Sequence, residues 1–139
     1  MSAGYAGDLD PTRAWELLRD DPAACLVDVR TQPEWGYVGV PDLAELGKRT
    51  VLVEWQRFPD GGLNDGFVAE LRSHDVPEDA PVVFLCRSGA RSVGAARAAT
   101  AAGFARSFNV LEGFEGGLDE RGHRGGTGWR ARGLPWRQS

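Results

Sequence analysis

Cysteine is scarce in this chain of 139 residues, with only Cys25 and Cys86. Both fall inside apolar runs that read as strands, which argues against a disulfide framework as the source of stability. Histidine is as sparse. His74 lies in a polar connection and His123 in a glycine-rich stretch, and neither has the spaced partners that a metal site requires. No metal and no cofactor are expected. No apolar run approaches the roughly 18 residues that span a bilayer, so no membrane association is expected. The first dozen residues hold Asp8 and Asp10 but no Lys or Arg, and they lack the apolar core of a secretory leader. The expected location is the cytoplasm.

Acid is missing from two stretches, although the formal charge of the whole chain is -4. Between Pro81 and Leu111 there are four Arg and no Asp or Glu, so anions should be drawn there. No acid follows Glu120 either, and Arg121, Arg124, Arg130, Arg132 and Arg137 make that end basic. It lacks the aromatic interleaving of an RNA motif, so a solvated surface rather than a nucleic-acid partner is expected. Hydrophobic residues at 42% and charged residues at 26% suit a soluble globular protein, and the length suits one domain over residues 1–139. Nothing in the pattern specifies an oligomeric state.

Asp10-Pro11 reads as an N-cap and first helical residue, opening a helix to about Asp20 with Ala14, Leu17 and Leu18 on its apolar face. Cys25 to Arg30 is short and apolar until its end, which predicts a strand covered on both faces. A second strand is expected over Thr50 to Trp55. A turn at Pro59 to Gly62 follows, and Asn64 then caps a helix packing through Phe67, Val68 and Leu71. Pro81 to Leu85 is the strongest strand, and it leads through a polar turn into an alanine-rich helix from Ser92 to Ala102 that ends at Gly103. A last strand is expected near Ser107 to Leu111. From Gly113 to Gly133 no regular structure is assigned. Strands alternating with helices predict an α/β domain with a mainly parallel central sheet flanked by helices on both faces. Ligands of such sheets bind beyond the carboxyl ends of the strands, where Asp28, Arg30 and Cys86 fall.

The segment Cys86-Arg87-Ser88-Gly89-Ala90-Arg91-Ser92 joins the strongest strand to the alanine-rich helix. A loop curling into a helix N-terminus can turn successive N–H groups inward and so form a nest for an anion. With Arg87 and Arg91 nearby, the thiolate of Cys86 should be favoured. Gly89 supplies backbone freedom where the ring closes.

This loop resembles the active-site loop of rhodaneses, Cys-Arg-x-Gly-x-Arg-Ser/Thr, at every defined position. Leu26 to Arg30, Glu34-Trp35, Asn109 to Phe114, Trp129 and Gly133-Leu134-Pro135 are also similar to the family, so the resemblance covers about residues 10–136. Two departures stand out. Gly36 to Asp42 lacks the histidine of the family's Gly-His-Ile-Pro-Gly-Ala-like segment, and Asp119 to Gly128 is longer than the usual end of the domain.

The resemblance implies a rhodanese-like α/β fold of about five strands and a sulfurtransferase that carries sulfur as a persulfide on Cys86. The donor would be a small sulfur anion such as thiosulfate, and the acceptor a thiol, cyanide or a protein. It further implies that Arg87 attracts the donor, that Arg91 and the amides from Arg87 to Ser92, including those of Ser88, Gly89 and Ala90, hold the sulfur, and that Asp28 braces an arginine near the loop. Asp28 and Arg30 read equally well as a structural ion pair. Cys25 reads as core, and the tryptophans as packing, with Trp35 a candidate for the pocket wall. A cysteine phosphatase of related fold is the nearest alternative. It needs five residues between Cys and Arg, whereas four separate Cys86 from Arg91, and the loop offers no acid for a leaving group. A persulfide carrier or a regulatory binding module is the other alternative.

Overall fold

The computed structural model describes residues 4–138. Asp10 turns the first extended segment into a helix: its Oδ1 accepts the Arg13 N–H at 2.8 Å, and Pro11, which has no N–H to leave unpaired, follows at the first helical position. The strands are β1 (Gly7–Leu9), β2 (Cys25–Asp28), β3 (Val40–Pro41), β4 (Val51–Leu52), β5 (Val82–Leu85), β6 (Ser107–Val110) and β7 (Trp136–Arg137). The helices are α1 (Pro11–Asp20), α2 (Gln32–Tyr37), α3 (Phe67–Ser73) and α4 (Arg91–Ala101), with a 3-10 turn over Ala44–Leu46.

Five strands form one sheet in the order β1-β6-β5-β2-β4, and every neighbouring pair is parallel. Cys25 pairs with Val82 and Asp28 with Leu85, so β2 and β5 end together. β3 and β7 make a separate antiparallel pair. Side chains alternate across the sheet as the pleat requires. Val27, Val82, Phe84 and Cys86 pack with Phe67 and Leu71 of α3 and with Ala95, Ala96 and Ala99 of α4. Leu26, Val83 and Leu85 face the other way, onto Ala14 and Leu18 of α1 and onto Phe114 and Trp129. The expected α/β architecture, a parallel sheet of five strands with helices on both faces, is the one found.

Several boundaries differ from the expectation. β4 is ladder-paired only over Val51–Leu52, after which Trp55 turns to meet Phe67 edge-on, ring centroids 5.1 Å apart. α3 starts at Phe67 with Gly66 as its N-cap. Asn64 does not cap it; its Oδ1 accepts the Gly66 N–H at 3.0 Å and its Nδ2 donates to the Glu54 carbonyl at 2.8 Å, which pins the approach turn. Regular structure begins at Gly7, ahead of the residue 10 at which the family resemblance starts. No helix among the described residues is long and apolar enough to cross a membrane.

Candidate active site

Cys86 is the residue after the last of β5, and α4 begins five residues later at Arg91. The loop between them closes over the sulfur. The Gly89 N–H donates to Cys86 Sγ at 3.1 Å, and Ser92 Oγ lies 3.2 Å from it. Gly89 takes φ +107°, a conformation for which only glycine is unstrained. Among the described residues, Gly89 is the one loop residue whose amide reaches the sulfur, fewer than the ring of amides expected. Arg87 and Ala90 are exposed and Ser88 half-buried, while Cys86 itself is 1% exposed. The thiol therefore lies beneath its loop rather than at the surface.

The loop is held from behind by backbone. Phe114 N–H donates to the Cys86 carbonyl at 2.8 Å and Glu115 N–H to the Arg87 carbonyl at 2.9 Å. The next layer repeats the pattern, with Trp129 N–H on the Gly113 carbonyl at 2.9 Å and Arg130 N–H on the Phe114 carbonyl at 3.3 Å. Three separated segments are thus stacked by consecutive peptide hydrogen bonds, and the glycine-rich stretch supplies two of them.

The arginines are engaged by acids that the sequence reading gave no role. Arg91 Nη1 and Nη2 donate to Glu34 Oε1 and Oε2 at 2.8 and 2.9 Å, a bidentate pair joining α4 to α2. Glu34 Oε1 also accepts the Thr31 N–H at 3.1 Å and the Thr31 hydroxyl at 3.0 Å. Burial alone would raise the Glu34 carboxyl; the hydrogen bonds from Arg91 and Thr31 and the charge of Arg91 outweigh it and bring it down to about 2. The Arg91 guanidinium remains within electrostatic reach of Cys86. Arg87 Nε lies 3.3 Å from Glu115 Oε2, with Arg130 Nη2 4.0 Å from the other oxygen.

The arginine that Asp28 braces is Arg30. Its carboxylate accepts Arg30 Nε at 2.9 Å and Nη2 at 2.6 Å, the pair is fully buried, and Nη2 also donates to the Gly39 carbonyl at 2.7 Å. The Arg30 guanidinium lies 4.3 Å from the Phe114 ring centroid. Arg30 thus meets Phe114, whose amide holds Cys86, and Asp28 pairs in the sheet with Leu85, the residue before Cys86. Cys25 starts β2 at the opposite end of the sheet; it is half-buried, and burial pushes its thiol up to about 11 despite Lys48 and Arg49. His74 and His123 are exposed. Among the described residues Trp35 Nε1, which is buried, has no hydrogen-bond partner. Among the described residues no three His, Cys, Asp or Glu side chains cluster as metal ligands.

Three residues were missing from the sequence reading of the site: Glu34, Asn109 and Glu115. A signal for Glu34 was present, since Thr31-Gln32-Pro33-Glu34 is a capping-box pattern. Asn109 and Glu115 meet the loop only through the fold.

Comparison with known proteins agrees with this geometry. Residues 7–139 match the family model described as the STR4 middle domain. An uncharacterised protein of Rickettsia conorii is 36% identical, over 90% of this chain and 92% of that one. The chloroplastic protein THYLAKOID RHODANESE-LIKE of Oryza sativa subsp. indica is 32% identical, over 94% of this chain and 25% of that protein. Among solved structures, Rv0390 from M. tuberculosis superimposes with a TM-score of 0.90 at 61% identity, covering 97% of this chain and 99% of that one. The polysulfide-sulfur transferase homodimer from Wolinella succinogenes superimposes with a TM-score of 0.64 at 25% identity, covering 99% and 81%. A parallel sheet that delivers Cys86 to a Cys-Arg-Ser-Gly-Ala-Arg-Ser loop at its carboxyl edge, together with these matches, places the chain in the rhodanese-like family, within the group described by the STR4 middle domain.

Proposed function

We propose that this protein is a sulfurtransferase that carries sulfane sulfur as a persulfide on Cys86. The observation that carries the reading is the seating of the Cys86 sulfur, with the Gly89 N–H at 3.1 Å and the Ser92 hydroxyl at 3.2 Å on one side and the Arg91 charge nearby. In the first half-reaction the Cys86 thiolate attacks the outer sulfur of thiosulfate, the new S–S bond forms, and sulfite leaves with the electron pair of the old one. In the second, a thiol, cyanide or a protein acceptor attacks the terminal sulfur, and Cys86 leaves as thiolate. Neither step needs a general acid, because both leaving groups are stable anions. Arg87, half exposed at the loop tip, attracts the donor. Gly89 N–H and Ser92 hold the sulfur, while Ser88 and Ala90 shape the loop and Arg91 contributes charge without leaving Glu34.

A thiol 1% exposed requires the loop tip to part before a donor enters. Once formed, a persulfide places the terminal sulfur about 2 Å further out, within easier reach of an acceptor. The same chemistry suits the cytoplasm, where thiols stay reduced. Intact-protein mass spectrometry after incubation with thiosulfate tests the reading. The expected result is a reducible gain of one sulfur atom, absent in Cys86→Ser. Failure of the wild type to load from any sulfane donor would sink it, and hydrolysis of phosphate esters without loading would point to the phosphatase alternative. Loading followed by release only to a protein acceptor would make the protein a carrier.

A further inference from the structure

Around Cys86 the polar side chains answer one another. Arg91 pairs with Glu34, Arg30 with Asp28, and Arg87 and Arg130 with Glu115. Ser92 Oγ and Asn109 Oδ1 lie 2.5 Å apart, and Asn109 Nδ2 donates to Asp8 Oδ1 at 3.0 Å. At one cavity the balance fails. It has a volume of about 490 Å³ and lies between the segment joining β3 to β4 and the C-terminal strand β7. That volume is in the range of small-molecule sites. Three cations line it, Lys48, Arg49 and Arg137, against one carboxylate, Asp42. Lys48 Nζ is held by the Asp21 and Ala24 carbonyls at 2.8 and 2.5 Å, and Asp42 Oδ1 accepts the Ala44 N–H at 3.0 Å. The guanidinium groups of Arg49 and Arg137 have no hydrogen bond and no ion pair among the described residues. Successive side chains of a strand point opposite ways, so with Trp136 turned to meet Phe114 edge-on at 6.0 Å, Arg137 is turned into the cavity. Buried Pro41 and Leu43 add an apolar wall, and the Thr50 hydroxyl ties the two ends of the segment together by donating to the Pro41 carbonyl at 2.8 Å.

We propose that this cavity is a second binding site, one for a small doubly charged oxyanion gripped by Arg49 and Arg137. An anion of that charge neutralises three cations offset by one carboxylate. Guanidinium suits the task, because its planar fork donates paired N–H groups to two oxygens of one phosphoryl or sulfonyl group. The volume leaves room for a carbon group attached to the oxyanion, and Pro41 and Leu43 offer it an apolar surface. Two sources share this chemistry: a phosphate monoester, and a free sulfur oxyanion such as thiosulfate. The cavity stands apart from the nucleophile. Lys48 contacts the residues just before β2, at the amino edge of the parallel sheet, whereas Cys86 follows β5 at the carboxyl edge. None of the lining residues belongs to the Cys86 loop or to the stack behind it, so an anion held here takes no part in the sulfur steps.

Isothermal titration calorimetry tests the site on the full chain carrying Cys86→Ser, which removes the thiol that could consume a probe. Phenyl phosphate, inorganic phosphate and thiosulfate are titrated separately at about pH 8, where phosphate esters carry nearly two charges, and chloride fixes the ionic strength. Saturable binding is expected. Arg49→Gln and Arg137→Gln, both at exposed positions, should each weaken it on the order of tenfold, the effect of losing charged hydrogen bonds. Asp42→Asn should tighten it, because a repelling charge goes while an oxygen for the Ala44 N–H stays. Arg121→Gln, at an exposed arginine of the glycine-rich stretch, should change nothing. Tighter binding of phenyl phosphate identifies an ester as the occupant, and tighter binding of thiosulfate identifies the sulfur oxyanion. The proposal is overturned if no probe binds saturably in the millimolar range, or if Arg49→Gln and Arg137→Gln bind as tightly as the parent. Since no sulfur is transferred in these titrations, a failure here leaves the transfer reading untouched, and a wild type that never loads sulfur leaves this site standing.

Discussion

At position 113 the chain passes against the peptide that joins Cys86 to Arg87. A Cβ built there would lie 2.5 Å from the Arg87 carbonyl carbon and the Cys86 oxygen, and φ is +62°. Both the backbone conformation and the closeness demand glycine. Gly113→Ala should therefore cost about 2–4 kcal/mol, from the left-handed conformation and from overpacking against rigid backbone. Because the strain falls on the carbonyl of Cys86, the proposed sulfur carrier, loading should slow in the fraction that still folds. Urea denaturation and timed mass spectrometry measure the two effects; a stable variant that loads normally would show that the loop tolerates displacement.

Between elements, the decisive contact is the clamp of α2 onto α4 by Glu34 and Arg91, with side-chain exposures of 20% and 23%. The folded carboxyl is held at about 2, below its unfolded value near 4.3, so its contribution is complete above pH ~4.3 and disappears as the pH falls toward 2. The size is on the order of 3 kcal/mol. In Glu34→Gln that slope in stability between pH ~4.3 and ~2 should vanish, and the protein should be weaker at neutral pH; denaturation midpoints over this range read it directly. An unaltered slope would assign the acid sensitivity to other carboxylates. The elements themselves were unequally visible in the sequence. α1, β2, β5, α4 and β6 were readable because each combines an apolar run or face with a capping or turn residue, such as Asp10-Pro11 or Gly103. β1, β3 and β7, of two or three residues, are too short to show a period, and they exist because partners such as Phe108 and Trp136 are delivered from elsewhere in the chain. α2 was hidden by Pro33 and Gly36, although its capping box was in view. The loop around Cys86 was legible because its chemistry is contiguous. Its acid partners Glu34 and Glu115, and the Asn109 amide, reach it through tertiary packing that no local pattern encodes.

At the scale of the whole molecule, the parallel sheet carries one core on each face, and the second is closed by the C-terminal segment. Trp129 is fully buried there, meets Trp15 edge-on at 6.0 Å and donates its Nε1–H to the Pro135 carbonyl at 2.8 Å. Trp129→Ala should cost about 3–5 kcal/mol. It should also impair loading beyond what stability explains, because the buried ring anchors the backbone amide that forms the outer layer of the stack behind Cys86, an amide that alanine keeps but no longer holds in place. Activity measured at temperatures where the variant remains folded separates the two, and full activity there would free the stack from any part in function. Between the stacked segments the chain makes its excursion from Gly116 to Gly128, and the base of that excursion is shut: a Cβ on Gly128 would meet the Gly116 nitrogen at 2.6 Å. Because the two ends of the excursion are pinned together there, residues inserted at its exposed tip should cost only the modest entropy of a longer loop and leave the stack behind Cys86 in place.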